Sequence, residues 1–108
     1  MTSWENSGMA QVLSEVLTPE RLVALRELAA KHGVKDPRLF GSYARGEAKP
    51  RSDLDLLVDS EYGRGVAMRL AHFCQQAREL LSMNVDVVTE DGLDRRLRAR
   101  IFREARPL

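Results

Sequence analysis

Cysteine is almost absent from this chain: Cys74 stands alone among 108 residues, which excludes an internal disulfide and fits a reducing compartment. Long apolar runs are missing as well. No stretch approaches the roughly 20 residues that a membrane-spanning helix needs, and the N-terminus lacks a basic region followed by an apolar one. A cytoplasmic protein without a membrane partner is therefore expected. Charge of one sign is not in excess either. Charged residues make up 31% of the chain, yet the formal net charge is only +1, so direct nucleic-acid binding through a broad electrostatic grip is not expected. Length is limited too. A chain of 108 residues supports one domain with a modest core and leaves little material for a second substrate-binding module. No internal repeat or low-complexity segment interrupts it.

What is present reads as an alternation of helices and short strands. Residues 1–17 form a polar leader with a short helix over Met9 to Leu17, where Ala10, Leu13, Val16 and Leu17 recur at helical spacing. Thr18-Pro19 is a helix start, with threonine as N-cap and proline in the first turn, and Leu22, Leu25 and Leu28 line one face until Gly33. Val34 to Phe40 reads as a first strand, irregular at Pro37. Ser60 to Gly65 reads as a loop, and Val66, Leu70, Phe73, Ala77 and Leu80 mark a long amphipathic helix. Val85 to Val88 is a short strand, and Leu93, Leu97, Ile101 and Ala105 mark a last helix. The fold class is thus α/β: a small mixed sheet with helices packed on one face, in a single domain over residues 18–108.

The most informative stretch runs from Leu39 to Asp59, LFGSYARGEAKPRSDLDLLVD. Side chains alternate across a strand, so Asp53 and Asp55 share one face while Leu54, Leu56 and Val58 share the other. Two carboxylates about 4 Å apart repel by roughly 4 kcal/mol at an effective dielectric of about 20. Protonating one of them, separating them or placing a divalent cation between them removes that conflict, and Mg²⁺ commonly binds through one or two carboxylates while water and substrate phosphate complete its shell. Gly41-Ser42 lies just upstream. If a helix starts at Ser42, its free amides face an anion, Gly41 lets the backbone approach closely, and the Ser42 hydroxyl adds a donor. Arg45 and, more weakly, Arg51 are candidates for phosphate contacts. Asp86 is flanked on both sides by valine, an expensive place for an acid without a partner.

The succession Gly41-Ser42, Arg45-Gly46 and Ser52-Asp53-Leu54-Asp55 before Leu56-Leu57-Val58 resembles the signature of the DNA polymerase beta type nucleotidyltransferase superfamily, and within it the minimal nucleotidyltransferases. The resemblance implies the nucleotidyltransferase core fold, ATP as substrate and two Mg²⁺ ions. It also implies that Asp53 and Asp55 bridge the metals while Asp86 joins the catalytic metal and accepts a proton. Gly41, Ser42 and Arg45 would then bind the nucleotide phosphates. Glu90 or Asp91 would take the place of Asp86 under a shifted strand register. Members of this family pair with small helical HEPN proteins as antitoxins, and the resemblance implies AMP transfer to a tyrosine of such a partner.

Three functions remain open on the sequence. The first is that protein adenylyltransferase, and the second a non-catalytic antitoxin that neutralises a HEPN ribonuclease by contact. The third is nucleotidyl transfer to a small molecule such as an aminoglycoside. The run Arg95, Arg96, Arg98, Arg100, Arg103 and Arg106 reads as the wet face of the last helix, or as a surface for an acidic partner or RNA. His32 and His72 lack the neighbours of a metal site or nucleophilic triad, and Cys74, beside Phe73, reads as packed rather than reactive.

Overall fold

The computed structural model describes residues 16–49, 51–59 and 63–108. The leader and the helix expected over Met9 to Leu17 lie outside the described residues, apart from Val16 and Leu17, which are partly buried against the core. The first described helix, α1, spans Pro19–Lys31. The Thr18 hydroxyl accepts the Arg21 N–H at 3.2 Å, which satisfies one of the amides that a helix start leaves orphaned. At its other end Gly33 turns at φ 68°, and the Val34 N–H returns to the Ala29 carbonyl at 2.8 Å.

The first strand is shorter than the sequence suggests. β1 covers Arg38–Phe40 only, because Asp36 sits at φ 51° and Pro37 has no N–H to give to a ladder. Val34 is buried all the same, as a loop residue. A single helical turn, α2 (Ser42–Arg45), follows β1, and β2 then runs over Leu54–Val58. α3 spans Val66–Leu81 and β3 Val85–Thr89. A 3₁₀ turn at Glu90–Gly92 leads to α4, Arg95–Glu104. Its N-cap is Asp94, which accepts the Arg96 N–H at 2.9 Å.

The chain then adds a two-residue strand that the sequence reading missed, β4 at Arg106–Pro107. Arg106 therefore does not continue the arginine face of the last helix: it pairs with Leu39 on β1. The sheet is mixed, in the order β3-β2-β1-β4. β1 runs antiparallel to both β2 and β4, and β2 runs parallel to β3.

Alternation along β2 divides the sheet between two environments. Leu54, Leu56 and Val58 join Leu25 and Ala29 of α1, Phe73 and Ala77 of α3 and Val85 of β3 in one core cluster. Each large apolar side chain buried there contributes about 1.5–3 kcal/mol. Leu57 faces the other way, beside Asp55 in parity, and is fully buried outside that cluster. Its cross-strand partner is Arg38, whose guanidinium lies 5.9 Å from the Phe102 ring of α4. The last helix thus approaches the polar face of the sheet and carries side chains toward the acids.

Candidate active site

The three acids singled out in the sequence are brought together by strand register. Asp55 and Asp86 are direct partners on the parallel strands β2 and β3, so their side chains leave the same face. Asp53 precedes β2 by one residue and shares the parity of Asp55. On the other flank Asp55 pairs with Phe40, the last residue of β1, and the chain turns immediately at Gly41.

Gly41 is where glycine is required. Its backbone sits at φ 80°, ψ −154°, a region that side-chain-bearing residues avoid. A Cβ built there would collide with Asp55 Oδ2, so the backbone of the Gly-Ser turn lies directly against the carboxylate. The α2 turn closes through the Arg45 N–H on the Gly41 carbonyl at 3.0 Å. The amides of Ser42 and Tyr43 belong to the first turn, which no intrahelical carbonyl reaches. Gly46, at φ 80° and ψ 24°, ends α2.

Crowding shows in the electrostatics of Asp55. Its carboxyl pKa is raised from 3.8 to about 6, first by burial and then by the charges of Asp86, Asp53 and Glu104, with Arg45 acting in the opposite direction. Asp86 is about half exposed (49%), with Arg78 Nη2 3.9 Å from its Oδ1. Among the described residues, no three His, Cys, Asp or Glu side chains form a preformed metal cage. The donors nevertheless suit a hard divalent cation. They are all carboxylate oxygens, and a cation among them would offset the like charges that help to raise the Asp55 pKa.

The other candidates are placed as follows. Arg45 donates from Nε to Glu47 at 3.1 Å and from Nη1 to Glu104 at 3.0 Å. The hydrogen bond to Glu47, reinforced by the charges of Glu104 and Glu47, raises its pKa above the ordinary arginine value. Arg51 is exposed, next to Ser52, whose hydroxyl accepts the Lys49 N–H at 2.8 Å. Glu90, a substitute for Asp86 under a shifted register, is committed elsewhere: its carboxylate takes Arg38 Nη2 at 2.8 Å. Asp91 belongs to the same 3₁₀ turn beyond β3. Glu104 was not anticipated. An acid that ends an arginine-rich helix is its only trace in the sequence, and nothing local connects it to Gly41.

A mixed sheet with acids on adjacent parallel strands and a Gly-Ser turn against them defines a nucleotidyltransferase core. The chain belongs to the nucleotidyltransferase domain family, whose model matches residues 23–108, and it resembles the minimal members of that class. A solved structure provisionally described as a minimal nucleotidyltransferase is 47% identical, with a TM-score of 0.74, and the match covers 87% of this chain and 94% of that one. A Methanocaldococcus jannaschii protein provisionally named protein adenylyltransferase MJ0435 is 43% identical over 76 residues, which is 69% of this chain and 80% of the relative. The protein adenylyltransferase MntA of Thermococcus cleftensis is 35% identical over 79 residues, 73% of this chain and 79% of the relative. A crystal structure of a toxin–antitoxin with AMP-PNP shares the fold at a TM-score of 0.64 and 18% identity, over 83% of this chain and 71% of that one.

Proposed function

We propose that this nucleotidyltransferase moves AMP from ATP to a hydroxyl of a protein partner, a tyrosine on a helical HEPN-type toxin, and so acts as its antitoxin. One observation carries the reading: the pairing of Asp55 with Asp86 on parallel strands, with the Gly41 backbone pressed against Asp55. Relatives named protein adenylyltransferase support the reaction, and the shared fold of a toxin–antitoxin structure supports the setting. The free thiol Cys74 and the use of ATP suit the cytoplasm.

Asp53, Asp55 and Asp86 would hold the divalent ions, Mg²⁺ in the simplest case, which when bound supply charge neutralisation at the attacking and leaving oxygens. The first-turn amides at Ser42 and the Ser42 hydroxyl bind the β- and γ-phosphates, and Arg45 adds positive charge beside them. The acceptor oxygen attacks the α-phosphorus, the bond to the β-phosphate oxygen breaks, and pyrophosphate departs. Asp86, the most open of the acids to an incoming partner, takes the hydroxyl proton.

The test is the intact mass of the co-purifying partner after incubation with ATP and Mg²⁺. Addition of one AMP per acceptor site, lost in Asp53→Asn and Asp55→Asn, is expected. A partner that is inhibited at unchanged mass would replace transfer with neutralisation by contact.

A further inference from the structure

Glu104 is the last residue of α4, and its side chain is only 10% exposed. One oxygen, Oε2, accepts two hydrogen bonds, from the Gly41 N–H at 2.8 Å and from Arg45 Nη1 at 3.0 Å. The other, Oε1, is buried without a hydrogen-bond partner, 3.6 Å from Arg100 Nε. A buried carboxylate with an unsatisfied oxygen is costly, so the interactions of Oε2 must keep it in place.

Those interactions fall on the two parts of the nucleotide cradle that need external support. Gly41 is free to adopt many backbone conformations, so the hydrogen bond to its N–H selects the one seen here. Arg45 is gripped at Nε by Glu47 and at Nη1 by Glu104, which fixes the plane of its guanidinium. The amide of Gly41 is accordingly not free for a phosphate. It serves as the anchor that sets the direction of the following amides.

We propose that Glu104 is a positioning residue for the nucleotide: it reaches from the C-terminal helix to fix the Gly41–Ser42 turn and Arg45 in the geometry that receives the triphosphate. This rests on the phosphate-binding role given above to Ser42 and Arg45.

Steady-state kinetics with ATP and Mg²⁺, well below each variant's melting temperature, test it. Glu104→Ala frees the turn and one side of Arg45, and KM for ATP is expected to rise about tenfold or more with a smaller change in kcat. Partial unfolding alone would instead lower apparent kcat at constant KM. Glu104→Gln keeps an acceptor oxygen at the same reach and should restore KM to within about threefold, whereas Glu104→Asp, shorter by one methylene, should not. Wild-type KM in a folded Glu104→Ala, or a Glu104→Gln as impaired as the alanine or aspartate variant, overturns the proposal. If Glu104→Ala does not fold, the contrast between Gln and Asp decides. Asp55→Asn separates the two levels of the reading: if that variant transfers AMP, the site assignment itself fails, whatever Glu104 does.

Discussion

Asp55 is asked to be charged where burial and three neighbouring acids oppose charge, and its pKa rises from 3.8 to about 6. Between those values the folded chain holds more protons than the unfolded one, so this group's contribution to stability falls as pH rises through that window. The penalty is fully present above about pH 6 and relieved below about pH 4. Asp55→Asn removes it. Thermal melting of the metal-free protein should therefore show a higher melting temperature for the variant at about pH 7.5 and little difference at about pH 4. Nucleotidyl transfer by the same variant should fall by about a hundredfold or more. A cation needs the deprotonated ligand, so metal-dependent ATP affinity should weaken as pH drops through about 6, with proton uptake on release. Titrations in buffers of different ionisation enthalpy measure both. Gly41→Ala forces a Cβ toward Asp55 Oδ2 at a backbone angle reserved for glycine. It should cost about 1–3 kcal/mol in denaturant unfolding and lose activity as well.

At the level of elements, the helices were readable because their signals are local. Thr18-Pro19 marks the start of α1 and the apolar spacing from Val66 marks α3, and both hold in the structure. Thr18→Ala should lower stability by about 1 kcal/mol without changing KM for ATP, as chemical denaturation and kinetics would show. The edges of the sheet were not readable in the same way. β1 loses its expected first half to the positive φ of Asp36, which no pattern of hydrophobicity encodes. β4 is two residues long and includes a proline. Pairing with β1 rather than any propensity of its own makes it a strand, and this takes Arg106 out of the arginine series.

Across the whole molecule, the candidate site was legible where it follows from alternation and strand order. Asp53 and Asp55 share a parity in the sequence itself, and Asp86 needed only the parallel register that β2 and β3 adopt. Glu104 was illegible because its contact with Arg45 spans 59 positions and depends on how α4 returns to the polar face of the sheet. The proposed partner finds its role at the same site: Asp86 is half open toward whatever brings the acceptor. The decisive measurement is a calorimetric titration of the isolated chain with ATP in the presence and absence of Mg²⁺. Nucleotide uptake that requires the metal and disappears in Asp55→Asn is expected. Uptake that is absent with Mg²⁺ present, or that persists unchanged in Asp55→Asn, would contradict a site built on carboxylates sharing a cation beside the Gly41 turn.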